Sequence, residues 1–114
     1  MDTLEPGDIV ILVIQGAVES KARPVVVLSR VQYHKEHPDV VVGLLTTQLH
    51  QATTSTDYVL QDWLAARLVR PSAFRTFLVT RPRSEIGQYV GRLSERDWDA
   101  VKERLRSALE VDRD

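Results

Sequence analysis

Apolar residues occur in short runs separated by polar segments, a pattern that predicts a sheet-rich fold. The runs "DIVILV" (8–13), "PVVVLS" (24–29) and "VVVGLLT" (40–46) contain many β-branched residues, as buried strands do. Weaker strand patterns follow, at 57–61, 70–79 and 89–93. The polar stretches between the runs predict loops, at 14–22, 30–39, 47–56 and 80–87, and the loop at 30–39 has room for one helical turn. Segment 62–68 is expected to form one or two helical turns.

The C-terminal part of the chain carries a helical pattern. Ser94 followed by Asp97 resembles a capping box, with aspartate in place of the more usual glutamate. Apolar residues then recur at helical spacing, at Trp98, Val101, Leu105, Ala108 and Leu109. We therefore expect one amphipathic helix over about 95–110, with Trp98 in the core. The predicted fold is mostly β with α, a small curved antiparallel sheet or SH3-like barrel with a C-terminal helix, in a single domain over 1–114.

Composition excludes several classes of protein. The 114 residues contain no cysteine, so disulfides, thiolate metal sites and a cysteine nucleophile are excluded. No apolar run approaches the roughly 18–20 residues of a membrane span, and the acidic N-terminal segment lacks an apolar signal region, so we expect a cytoplasmic protein with no membrane contact. His34, His37 and His50 fall in predicted loops and are expected to be solvated rather than metal ligands. We expect no cofactor.

Charge is unevenly distributed although the net charge is only −1. Residues 1–62 carry four basic and eight acidic side chains, whereas 63–84 carry five arginines and no acid. The arginine block has two interpretations: a phosphate-facing surface, or a solvated region that happens to lack acids.

Four fragments, in order, resemble the MazF/PemK family of toxin endoribonucleases: "GDIVILV", "KARPVVVLS", "VVVGLLTTQ" and "GRLSERDWDAVKERL". The resemblance covers roughly residues 6–110. It implies a strongly curved antiparallel sheet that usually dimerises, and a toxin neutralised by a cognate antitoxin. It also implies metal-independent cleavage of single-stranded RNA, in which the ribose 2′-hydroxyl attacks the adjacent phosphorus.

The resemblance also implies which residues act. Arg23 matches the arginine of the family's Arg-Pro pair, and Thr46 matches the threonine that follows the third strand. Arg75 matches a basic position beside the phosphate, and Glu19 loosely matches an acidic residue near the scissile group. Further RNA contacts are expected from Lys21, Gln48, Arg70, Arg81 and Arg83. Each assignment has a structural alternative: Arg23 as a surface arginine paired with Glu19, and Thr46 as a strand-end residue.

One position departs from the family pattern. Several members carry an acid two residues after the Arg75 position, where this chain has Phe77. The departure keeps two alternatives open, a non-catalytic or gyrase-inhibitor-like interaction module and a nucleic-acid-binding regulator without catalysis. Tyr58 and Trp63 have two interpretations as well, as stacking platforms for bases or as side chains that pack against the sheet.

Overall fold

The computed structural model describes residues 3–111, which form one six-stranded antiparallel sheet and two helices. The strands are β1 (Asp8–Gln15), β2 (Ser20–Val27), β3 (Asp39–Thr46), β4 (Tyr58–Val59), β5 (Ala73–Pro82) and β6 (Ile86–Arg92). Their order across the sheet is β4-β5-β3-β2-β1-β6. The helices are α1 (Val31–Glu36) and α2 (Glu95–Ala108). The predicted fold class, a curved antiparallel sheet with a C-terminal helix, is confirmed.

Each face of the sheet buries its own apolar cluster, because side chains alternate along every strand. The first cluster includes Ile9, Val26 and Phe74, and α2 adds Val101 to it. The second includes Val10, Val25 and other strand residues, together with Leu4. Since strand residues supply nearly all of the second cluster, the sheet buries it by curling.

The β1–β2 hairpin is longer than the sequence pattern indicated. The predicted loop over 14–22 is wrong, because β1 continues to Gln15 and β2 begins at Ser20. Backbone pairing of Gln15 with Ser20 overrides the polar composition of this segment, and the turn closes through the Gly16 N–H, which donates to the Glu19 carbonyl at 2.8 Å. Arg23 therefore lies inside a strand and not at its beginning.

The 62–68 segment forms one turn, closed by the Ala66 N–H that donates to the Asp62 carbonyl at 3.1 Å, and it does not continue as a helix. The turn ends at Arg67, whose φ of 70° lies in the left-handed region and cannot continue a right-handed helix. The carbonyl of Ala66 packs so closely on β6 that a Cβ atom at Gly91 would lie 2.2 Å from it. This close approach explains the glycine of the "GRLS" motif.

Pairing also replaces the loop predicted over 80–87. β5 continues to Pro82, and only a three-residue 3₁₀ turn, Arg83–Glu85, separates it from β6. The short strand predicted at 57–61 is reduced to two residues.

Helix α2 confirms the C-terminal prediction, with half of the expected capping box. Ser94 Oγ accepts a hydrogen bond from the Asp97 N–H at 3.2 Å. The Asp97 carboxylate is fully buried and accepts from the Tyr58 hydroxyl (2.6 Å) and from the backbone N–H groups of Gln61 (3.0 Å) and Asp62 (2.8 Å). Asp97 therefore binds α2 to the segment after β4.

The aromatic side chains pack around the first cluster. Tyr58, Trp63 and Trp98 are each partly buried against it, so Trp98 is less buried than expected. Packing, one of the two interpretations of Tyr58 and Trp63, is thus observed.

His34 is buried in α1, which corrects the prediction of a solvated loop residue. It is 7% exposed, and its Nε2 lies 2.6 Å from Ser29 Oγ. Burial lowers the pKa of His34, and the charge of Arg83 lowers it further. Within residues 3–111, no group of three or more histidine or acidic side chains could hold a metal ion. No helix in the same range is long and apolar enough to cross a membrane.

Candidate functional site

Arg23 and Thr46 lie on the same sheet face, on neighbouring strands. β2 and β3 pair through Val25 with Leu44, and Arg23 and Thr46 are the next residues of that face beyond this pair. Neighbouring strands are about 4.8 Å apart. Arg23 is exposed, and Thr46 is half-buried. The ion pair between Arg23 and Glu19 that the alternative interpretation required is absent from the described residues.

A bulge in β5 places Arg75 on this face. Leu45 pairs with Phe74 and Gly43 pairs with Leu78, so three residues of β5, numbers 75–77, stand opposite one residue of β3. Since the bulge adds two residues, the alternation of faces is preserved and Arg75 shares the face of Thr46. Its buried Nε has no hydrogen-bond partner within residues 3–111.

Asp57 lies next to Arg75, and sequence reasoning missed it. Tyr58 of β4 pairs with Phe74, and Asp57 immediately precedes β4, so extending this register by one residue sets Asp57 opposite Arg75. The two residues line one cleft of about 410 Å³, together with Thr54, Thr76 and Phe77. The signal is present in the sequence, because Asp57 begins the strand predicted at 57–61, but it lies outside the acid-free block 63–84.

The carboxylate of Asp57 is held by backbone groups. Its Oδ2 accepts from the Thr54 N–H at 3.2 Å and its Oδ1 from the Thr76 N–H at 3.4 Å. Burial alone would raise the pKa of Asp57, but hydrogen bonds from Thr54 and Thr76 and the charge of Arg75 hold it below its usual range. Asp57 is therefore ionised at neutral pH.

Together these residues form a polar row, consisting of Arg23, Thr46 and Arg75 on three neighbouring strands and Asp57 just before the next one. Two guanidinium groups can hold phosphate oxygens through paired N–H donors. A hydroxyl group can contact the same phosphate or a sugar, and an ionised carboxylate can accept a proton. The polar row thus holds the group types required for chemistry at a phosphodiester.

Gln48 continues from the polar row into the next loop. Its backbone N–H donates to Thr46 Oγ1 at 3.0 Å, and its side-chain oxygen accepts from Gln51 Nε2 at 2.9 Å. The hydroxyl proton of Thr46 is not used by either bond, so Thr46 can still donate to a ligand.

Lys21 and Glu19 lie along β2 towards the hairpin turn. Lys21 is on the same face as Arg23, two residues further from the core, and is exposed. Glu19 belongs to the turn, and its Cα lies about 13 Å from that of Arg23 at the rise of an extended strand. The structure therefore brings Lys21 close to the polar row and leaves Glu19 further away.

The arginine block divides between the two ends of the sheet. Arg70 is exposed just before β5, near the Thr46 end. Arg81 pairs across from Val40, six residues along β3 from Thr46, or about 20 Å away. Arg81 also forms a bidentate ion pair with Glu85 at 2.7 and 2.5 Å, and Arg83 donates to the His34 carbonyl. The structure thus does not join Arg81 and Arg83 to the polar row.

Comparisons with known proteins place this fold. Residues 5–109 match the family described as the PemK-like, MazF-like toxin of type II toxin-antitoxin systems. One similar solved structure is an endoribonuclease in complex with its cognate antitoxin from a mycobacterial species, with a TM-score of 0.78, 19% identity and full coverage of both chains. Another is MazE-MazF from Deinococcus radiodurans, with a TM-score of 0.78, 17% identity and coverage of 96% of this chain and 99% of that one. No curated protein matches.

The family match covers nearly the whole chain, from residue 5 to residue 109. The chain therefore belongs to the PemK-like, MazF-like family of type II toxin-antitoxin toxins.

Proposed function

We propose that the protein is an endoribonuclease toxin that cuts single-stranded RNA without a metal ion. The observation that carries this proposal is the presence of Arg23, Thr46 and Arg75 on one sheet face, on three neighbouring strands. The similar structures named above include an endoribonuclease and toxin–antitoxin complexes, which agrees with the proposal.

In the proposed reaction the ribose 2′-hydroxyl attacks the adjacent phosphorus and displaces the 5′-oxygen. Negative charge develops on the phosphate oxygens in the transition state, and fixed positive donors stabilise it. Arg23 and Arg75 supply these donors, and the Thr46 hydroxyl holds a phosphate oxygen. Lys21, Gln48 and Arg70 flank the polar row and would contact neighbouring nucleotides. Arg81 and Arg83 would contact only RNA that extends to the opposite end of the sheet.

The proposed partners are single-stranded RNA, a cognate antitoxin and a second copy of the chain. An antitoxin that blocks the polar row would need acidic side chains to match its arginines. We further propose that residues 1–114 act as one domain in the cytoplasm, where the RNA substrate is found.

A second candidate function is a non-catalytic interaction module, such as a gyrase-inhibitor relative. The observation that favours it is Phe77, which is 54% exposed at the position where the resemblance implies an acid in several members of the family. On this view the polar row would bind a partner but would not transfer a proton.

Cleavage of a long single-stranded RNA in EDTA tests the proposal. Arg23→Ala and Thr46→Ala should each lower the cleavage rate by roughly 10²–10³, the usual effect of removing one transition-state donor. Their thermal stability should change little, because substitutions of polar surface residues usually change the free energy of unfolding by no more than about 0.5 kcal/mol.

Arg106→Ala is the matched control. Arg106 is exposed on α2, away from the polar row. Its surface ion pair with Glu103 should contribute little to the stability of the fold. A wild-type protein that binds RNA but does not cut it would support the interaction module.

A further inference from the structure

We propose that Asp57 is the catalytic carboxylate of this site and accepts the proton of the attacking 2′-hydroxyl. The inference rests on the proposed ribonuclease function. It answers the problem raised by Phe77, since Asp57, the residue just before β4, supplies the acid that β5 lacks.

The strand register carries the first part of the argument. Asp57 stands across from Arg75, and both line the cleft that Phe77 borders. A phosphate held by Arg75 would therefore have a carboxylate beside it, one strand spacing or about 4.8 Å away at the backbone. Glu19, the other acidic candidate, lies at the tip of the β1–β2 hairpin.

The hydrogen bonds that hold Asp57 in place are the second observation that supports the proposal. Two backbone N–H groups, of Thr54 and Thr76, hold its two carboxylate oxygens, and Arg104 Nε of α2 donates to its carbonyl at 3.1 Å. An ionised carboxylate offers about four acceptor positions, so acceptor capacity remains for a substrate hydroxyl. A proton acceptor fixed in this way is placed before the substrate arrives.

The chemical step balances with this single group. The 2′-hydroxyl proton passes to the Asp57 carboxylate as the 2′-oxygen bonds to phosphorus. The bond from phosphorus to the 5′-oxygen breaks, its electron pair stays on that oxygen, and water supplies the proton of the 5′-hydroxyl. Asp57 then returns its proton to solvent. The products are a 2′,3′-cyclic phosphate and a 5′-hydroxyl.

The test compares Asp57→Asn with Glu19→Gln under single-turnover conditions with the same RNA. Both variants keep the shape of the side chain and remove its charge. We expect Asp57→Asn to lower the rate at least roughly tenfold, within the 10²–10⁴ range of a positioned proton transfer, with RNA affinity unchanged. Glu19→Gln should cut at the wild-type rate.

Rescue by formate distinguishes a catalytic carboxylate from a structural one, because formate can replace a lost proton acceptor but not a lost structural contact. Asp57→Ala opens space in the cleft, and sodium formate should restore part of its lost rate by supplying an external carboxylate. Sodium chloride at equal ionic strength should not. The melting temperature of each variant shows whether the fold is retained.

The possible outcomes separate the inference from the proposed function. If wild type cuts RNA and Arg23→Ala does not, but Asp57→Asn retains the full rate, Asp57 only caps its loop and the inference is wrong. Loss of rate in Asp57→Ala without formate rescue also overturns it. A large decrease confined to Glu19→Gln would assign the role to Glu19. If wild type cuts nothing, the proposed function itself fails, and the inference fails with it.

Discussion

At the scale of single residues, the structure separates polar side chains that serve the fold from those that face solvent. His34 belongs to the first group, because it is buried in α1, contacts Ser29 and has its backbone carbonyl bonded by Arg83. Arg23 belongs to the second, since it is exposed and has no ion-pair partner within residues 3–111. A cation that the fold does not use is available for a ligand.

The lowered pKa of His34 predicts how stability depends on pH. The unfolded chain binds a proton at this residue more readily than the folded one, so the free energy of unfolding should decrease as the pH falls from about 7 towards 5. Urea denaturation at several pH values measures this decrease. His34→Gln removes the titrating group and should flatten the curve in this range.

His37→Gln is the control for that measurement, because His37 is exposed at the end of α1. An equally steep pH dependence in wild type and His34→Gln would show that another group is responsible.

At the scale of elements, a buried carboxylate connects the C-terminal helix to the sheet. Asp97 of α2 accepts from the Tyr58 hydroxyl and from two backbone N–H groups of the following segment. Arg104, two turns further along the helix, donates to the carbonyl of Asp57. The helix therefore holds both sides of the chain segment that carries the proposed proton acceptor.

Asp97→Ala should destabilise the protein by about 3 kcal/mol. The substitution leaves three hydrogen-bond donors without their acceptor, and an unsatisfied buried donor costs about 1–3 kcal/mol. Chemical denaturation measures the change. Asp99→Ala, on the same helix but with its side chain 65% exposed, should stay within about 0.5 kcal/mol of wild type. Equal effects of the two substitutions would contradict the role of the network.

The elements differ in how well the sequence predicted them. The buried strands β1, β2 and β3 and the helix α2 carry clear apolar patterns, and each was found. The tip of the β1–β2 hairpin and the end of β5 are polar, and they are ordered by backbone pairing that composition does not reveal.

The residues of the candidate site also differ in how well local sequence patterns predict them. Arg23 and Thr46 could be proposed from the sequence because they belong to strands that the resemblance aligned. Asp57 was missed because its relation to Arg75 depends on which strands are neighbours, and β4 and β5 are separated by a turn that local patterns predicted as helix.

At the scale of the whole molecule, apolar side chains remain exposed near the polar row. Phe77 of β5 is 54% exposed, and Val59 of the edge strand β4 is 46% exposed. An edge strand with exposed apolar neighbours is prone to association. A second copy of the chain is the partner that the family resemblance implies.

We expect a symmetric homodimer whose interface borders the RNA groove. Light scattering coupled to size-exclusion chromatography at micromolar concentration should give a mass near twice the chain mass of 13.0 kDa. A particle of 13.0 kDa with full cleavage activity would show that one copy is sufficient.

The bulge in β5 also limits how this strand can change in length. Its two extra residues keep Phe74 facing the core and Arg75 facing the cleft, because side chains alternate with a period of two. Insertion or deletion of a single residue there would exchange these directions for every position up to the next turn. Only changes of two residues preserve both the core and the face that carries the polar row. A length change within β5 that keeps both directions therefore has to come in even steps.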